Sequence, residues 1–147
     1  MSSETPPARD SYAWFTPIAT RWTDNDVYGH VNNAIYYAYF DTVANSYLIE
    51  KGALNIQHSE TIGYVVHSQC HYLRPVVFPD SLDGGFRVNR LGNSSVEYGI
   101  GLFLKDQAEP AAYGTFTHVF VSRETERPVP IQGDLRDALI AAQTNSE

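Results

Sequence analysis

The chain has one cysteine in 147 residues. A single thiol, Cys70, excludes an intrachain disulfide and fits a reducing compartment. No apolar run approaches the roughly 20 residues that a membrane-spanning helix needs. The start, MSSETPPARDSYAWF, has neither the basic segment nor the long apolar segment of a secretory leader. A cytoplasmic protein with no membrane partner is therefore expected. Positive charge is scarce: 10 Lys and Arg stand against 17 Asp and Glu, a net charge of −7. That balance opposes non-specific nucleic-acid binding, so no nucleic-acid partner is expected. It leaves room for an anionic ligand held by local arginines. There is no Gly-rich phosphate loop of Walker or Rossmann form. Ser68 and Cys70 lack the GxSxG setting of a nucleophile elbow, and Cys70 reads as an inert core thiol. His67 and His71 would lie ~13 Å apart along a strand, too far to share a metal, so no metal site is expected. His118 reads as a satisfied sheet histidine.

Apolar residues make up 43% of the chain, with ten tyrosines and seven phenylalanines, enough to build one core in one domain. Residues 1–10 are polar and Pro-containing and read as a disordered tail, leaving 11–147 as the domain. Tyr12 to Trp22 reads as a strand with Trp14, Ile18 and Trp22 available to a packed face, and Pro17 places it at an edge or bulge. Asn33 to Lys51 reads as one long buried helix, with Tyr36, Phe40, Val43 and Tyr47 at helical spacing and Gly52 as a left-handed stop. Period-2 patterning then marks strands from Tyr64 to Leu73, Leu82 to Leu91, Val96 to Leu104, and around Phe116, His118 and Phe120 up to Ser122. Short turns between them suggest an antiparallel meander. Asp134 to Gln143 reads as a short terminal helix. The fold class is α+β, the simplest arrangement being an antiparallel sheet wrapped around one long central helix, with a second copy covering an edge.

The densest chemistry is the stretch TRWTDNDVYGHVNNAIYYAYFD, from Thr20 to Asp41. Asp24 and Asp26 precede the helix. Gly29 can supply a turn that a β-carbon would obstruct, and Asn32 is a good N-cap type. The first N–H groups of a helix lack internal partners and lie at the positive end of its dipole. They suit a developing oxyanion. A free carboxylate is ionised at neutral pH and beside such donors can attack a carbonyl or activate a water. Asp24 is equally readable as a cap or as a partner of Arg21, since residues of this type before a helix usually serve caps and turns.

The segment DNDVYGHVNNAIY resembles the D-x-D-x-x-G-x-V-x-x-x-x-Y signature of the hotdog-fold thioesterases, most closely the 4-hydroxybenzoyl-CoA thioesterase-like acyl-CoA thioester hydrolases. The likeness extends over about Phe15 to Ile131 and includes YLRPVVFPD. It implies a hotdog fold and hydrolysis of acyl-CoA to a free acid and CoA. It implies Asp26 as nucleophile or general base and the Asn33 N–H, four residues after Gly29, as the group that polarises the carbonyl. One branch has a histidine where this chain has Asn33, which leaves the backbone donor intact but removes an imidazole. No cofactor is implied, because coenzyme A is part of the substrate. The resemblance also implies a homodimer or homotetramer with active sites at the dimer interface.

Substrate contacts are expected at Tyr28, His30, Asn32 and Tyr36. Tyr28, Tyr36, Tyr37 and Phe40 suit an aromatic or medium-chain acyl group, and equally suit a core or an interface. In relatives the turn matching NRLGNSS contacts the CoA tail, which points to Arg90, Asn93, Ser94 and Ser95; a solvated hairpin favours the same residue types. Two rival functions remain open at this level: a hotdog hydratase or dehydratase, for which His30 is the near acid–base candidate, and a catalytically silent acyl-CoA-binding module.

Overall fold

The computed structural model describes residues 5–52, 54–55 and 58–143. In chain order the elements are β1 (Trp14–Ala19), α1 (Ile35–Glu50), β2 (Thr61–Tyr72), β3 (Ser81–Leu91), β4 (Ser95–Leu104), β5 (Ala112–Ser122) and α2 (Gly133–Ala141), with short 3-10 turns at Arg9–Ser11 and Trp22–Asp24. The strands form one antiparallel sheet in the order β1-β3-β4-β5-β2. Side-chain alternation sends Leu82, Phe86, Val88, Val96, Tyr98, Ile100, Leu102, Phe116 and Phe120 to one face, where all are buried. Helix α1 lies across that face. Its buried residues Tyr36, Tyr39, Phe40, Val43, Ala44, Tyr47 and Leu48 recur at helical spacing, while Asp41, Thr42 and Glu50 stay exposed. Burying one large apolar side chain is worth about 1.5–3 kcal/mol, so this stripe sets the position of the helix. The helix crosses β3 at Gly84, where an added β-carbon would collide with Val43. The result is the expected sheet wrapped around a long helix.

Several expectations need correction. The meander holds only for β3, β4 and β5. Strand β2 pairs with β5 at the far edge of the sheet, because β1 occupies the free side of β3. Segment 73–80 contains two prolines that cannot donate to a ladder, and it carries the chain between the two sides with Val76 fully buried. Helix α1 starts at Ile35 rather than Asn33, because the Asn32 carbonyl takes the Ile35 N–H in a tight turn at 2.9 Å. Gly52 does not adopt a left-handed conformation. Its lack of a side chain instead admits α2, since a β-carbon there would meet the Leu48 carbonyl oxygen at 2.8 Å and Leu135 at 3.1 Å.

Trp22 is not on a packed face: it is 72% exposed and touches Phe78 edge-on at 6.0 Å. The loose start expected for residues 1–10 does not extend to Arg9. Its guanidinium bonds Asp83 at 2.7 Å and the Gln107 carbonyl at 2.7 and 3.0 Å, and it stacks over Phe103 at 4.8 Å. Residues 1–4 and 144–147, at the two ends of the expected tail and domain, lie outside the described residues.

Candidate active site

The loop between β1 and α1 closes as a small hairpin. Asn25 and Val31 form an isolated antiparallel bridge, and the Asp26 N–H donates to the His30 carbonyl at 2.8 Å. Gly29 turns the tip with φ +84, and open space surrounds the position of its missing β-carbon. Backbone conformation, not crowding, therefore requires glycine here. The loop is tied down by Val31 N–H to the Val76 carbonyl at 2.7 Å and Asn32 N–H to the Asp24 carbonyl at 2.9 Å.

The two aspartates differ sharply. Asp24 is a buried structural carboxylate. Its Oδ2 accepts the Tyr39 hydroxyl at 2.7 Å and the Arg21 N–H at 2.9 Å, and its Oδ1 accepts Arg21 Nε and Nη2 at 3.1 and 2.9 Å. Burial alone would push its carboxyl upward, but the hydrogen bonds from Tyr39 and Arg21 prevail and hold it below the usual carboxylate value. Asp24 pairs with the Arg21 guanidinium and also caps the Trp22–Asp24 turn through the Arg21 N–H, so both of its sequence readings hold. Asp26 is half-exposed. Its Oδ1 accepts the Tyr28 N–H at 2.9 Å, which orients the carboxylate. Among the described residues its Oδ2 has no partner.

The start of α1 shows a similar economy. Asn32 Oδ1 accepts the Ala34 N–H at 2.9 Å, and the Asn32 carbonyl accepts the Ile35 N–H. Asn32 thus closes a turn ahead of the helix, and the N-cap of α1 is Ala34 with no side-chain cap, so the capping role expected of Asn32 is not met. The Asn33 N–H, between these satisfied groups, has no partner among the described residues. The peptide that bears it has its carbonyl engaged by Ile35, and hydrogen bonds in series polarise one another. One loop therefore presents a free carboxylate oxygen and a free, polarised N–H, the pair that acyl transfer requires.

The other expected residues divide. Tyr28 is 83% exposed and Val27 93%, and His30 is exposed with its carbonyl, not its ring, engaged. Tyr36 belongs to the core: it is 3% exposed and packs against Tyr39 and Tyr72 at 6.2 and 5.0 Å. Tyr37 meets Phe40 at 6.0 Å. The hairpin holding Arg90, Asn93, Ser94 and Ser95 is not brought to Asp26 within one chain. It joins β3 to β4 at the end of the sheet opposite to Ala19 and Ser81, and is fastened to β5 and α2 by Phe120 N–H to the Ser94 carbonyl and Arg136 to the Gly92 carbonyl. His118 is buried with Nδ1 2.9 Å from the Tyr98 hydroxyl, and burial lowers its pKa to about 4. Burial pushes the Cys70 thiol up to about 11, away from thiolate chemistry. Among the described residues no cluster of His, Cys, Asp and Glu is placed to hold a metal ion, and no helix is long and apolar enough to cross a membrane.

Sequence reasoning missed Tyr72. Its hydroxyl donates to the Asn33 carbonyl at 3.1 Å from the end of strand β2. The tyrosine is plain in the sequence, but no local pattern brings residue 72 to residue 33.

The sequence profile of the thioesterase superfamily matches residues 28–111. Among solved structures, the PA5185 protein of Pseudomonas aeruginosa is 56% identical with a TM-score of 0.94, covering 97% of this chain and 100% of that one. YsmA of Bacillus subtilis is 27% identical over 133 residues, 90% of this chain and 88% of that protein. The long-chain acyl-CoA thioesterase FadM of Escherichia coli is 26% identical over 125 residues, 84% of this chain and 95% of that protein. The chain belongs to the thioesterase superfamily. The profile match begins at Tyr28, so the assignment of Asp26 rests on its own geometry.

Proposed function

We propose that this protein hydrolyses the thioester of an acyl-CoA, releasing a free acid and CoA. The observation that carries this reading is the free Asp26 Oδ2 in the same loop as the unpaired Asn33 N–H. The family membership and the acyl-CoA thioesterase activity in the name of FadM support the reaction class.

In this mechanism the thioester oxygen accepts the Asn33 N–H. Asp26 Oδ2 then follows one of two courses. It attacks the carbonyl carbon, so that collapse of the tetrahedral oxyanion expels the CoA thiolate and leaves a mixed anhydride for water to cleave. Alternatively it takes a proton from a water that attacks in its place. The thiolate leaves without a strong acid, so His30 needs no chemical role.

A second copy of the chain completes the site in this reading. Val27 and Tyr28 are exposed beside Asp26, and edge strand β2 exposes Tyr64, Val65, Val66 and Tyr72. Such an unpaired apolar edge is a template for another strand. Among the described residues, clefts of 510, 400, 710 and 320 Å³ are lined by residues other than Asp26 and Asn33. A two-fold pairing of β2 with its copy reverses the partner sheet and brings the partner's Arg90 hairpin to the end that holds Asp26. There it would meet the anionic tail of CoA.

Purified protein incubated with a panel of acyl-CoAs and a thiol-reactive dye tests the reading. Asp26→Asn should keep the fold and lower turnover by orders of magnitude. Equal turnover in wild type and variant would remove Asp26 from the chemistry, and tight binding with no thiol release would make the protein a binding module.

A further inference from the structure

We propose that Tyr72 is a positioning residue for the oxyanion donor: its hydroxyl holds the Asn33 carbonyl and so keeps the Asn33 N–H aimed at the thioester oxygen. The inference rests on the thioesterase reading above.

The geometry is specific. The peptide that links Asn33 to Ala34 is held at both ends, its N–H by Asn32 Oδ1 at 2.9 Å and its carbonyl by the Tyr72 hydroxyl at 3.1 Å. Two fixed ends set the torsion that follows Asn33. The preceding peptide is held by its carbonyl alone, through the Ile35 N–H. Four bonding positions flank Asn33, and the N–H is the one left open. The first turn of a helix is where backbone groups lack internal partners and fray. Without the grip of Tyr72, the Asn33 peptide is free to rock and the donor to turn toward water. Preorganised donors are effective because they need no reorientation as charge develops.

Tyr72 is itself braced. Its ring stands edge-on to Tyr36 at 5.0 Å and 89°, and Tyr36 is buried. A tyrosine ordinarily ionises only at about pH 10, so the Tyr72 hydroxyl remains a donor across the neutral range. Tyr72 is also the last residue of edge strand β2. The bond therefore ties the strand proposed for subunit pairing to the turn proposed for catalysis. Tyr72 acts through Asn33 and not on the substrate.

The test is Tyr72→Phe, which keeps the ring against Tyr36 and removes the hydroxyl. With the acyl-CoA most active on wild type, kcat should fall about 3- to 10-fold, the scale of one neutral hydrogen bond, with KM within twofold. The amide resonances of Asn33 and Ala34 should shift and exchange faster with solvent, while particle size stays that of wild type. As a second variant, a monofluorinated tyrosine at 72 keeps the ring and the donor at neutral pH. It loses its proton at lower pH than tyrosine, so its kcat should decline on the alkaline side earlier than wild type. A wild-type kcat in Tyr72→Phe, or a change in KM alone, overturns the inference while Asp26→Asn remains inactive. If Asp26→Asn is as active as wild type, the thioesterase site fails first. Unchanged Asn33 and Ala34 amides in Tyr72→Phe then overturn the positioning role as well.

Discussion

The Tyr39 hydroxyl donates to Asp24 Oδ2 at 2.7 Å, and this bond from the middle of α1 separates two aspartates that stand two positions apart in the sequence. Asp24 spends all its hydrogen-bonding capacity inward, on Tyr39 and Arg21. Asp26 bonds only its own loop. The same residue type thus supplies a sealed anchor and an open carboxylate a few ångströms of chain apart.

Asp24→Asn should lower stability by about 2–3 kcal/mol, the scale for disrupting a buried charged network, in contrast to Asp26→Asn, whose melting temperature should match wild type. The folded pKa of Asp24 lies below its ordinary value of 3.8. Its contribution is therefore complete above about pH 4 and is lost as pH falls through the lower folded value. Thermal melts from pH 7 to pH 2 should show a smaller acid-side loss in Asp24→Asn than in wild type. Parallel curves would sink the assignment.

His118 should give a second pH signature in a different window. Burial lowers its pKa to about 4 from an ordinary 6.5, so the unfolded chain binds the extra proton first as pH falls. Stability is complete above about pH 6.5 and declines toward pH 4, by on the order of 3 kcal/mol. His118→Gln keeps a partner for the Tyr98 hydroxyl and removes the titration. Denaturant melts of this variant should be flat between pH 4 and 6.5 in the component that His118 contributes.

At Gly29, alanine should cost about 1–2 kcal/mol, because φ +84 strains an L-residue although space is open around it. Gly29→Asn should cost less, since asparagine tolerates that region. Activity should follow the same order through displacement of Asp26. Equal stability for Ala, Asn and wild type would show that the loop turns some other way.

Val66 stands at the bulge of edge strand β2 and is 57% exposed. A lysine there sets a charge on the edge and opposes strand addition. Val66→Lys should sediment as a smaller particle than wild type and lose thioesterase activity while keeping its circular dichroism. An active variant of unchanged size would rule out β2 as the pairing edge.

Much of the fold was legible in the chain. Period-2 alternation located β3, β4 and β5, and the helical spacing of Tyr36, Phe40, Val43 and Tyr47 located α1, because burial on one face imposes those periods on the residues themselves. The end of α1 at Glu50 and the terminal helix near Asp134 were also readable. The partnership of β2 with β5 was not, since an alternating strand states which faces it presents but not which neighbour it takes. Gly52 misled because a glycine after a helix reads the same whether it serves conformation or clearance. Trp22 misled because an aromatic beside a strand reads as core until the chain is seen to turn away.

The sequence by itself determined that one loop before one helix holds two carboxylates, a turn glycine and three asparagines, because those types and spacings are local properties. Only the tertiary structure decided which carboxylate is sealed and which is open. Tyr39 and Tyr72 reach that loop from the middle of a helix and from the far edge of the sheet. Hydrogen bonds across such separations form only after the sheet has closed around the helix, so the division of labour between Asp24 and Asp26 is a consequence of packing and not of the motif.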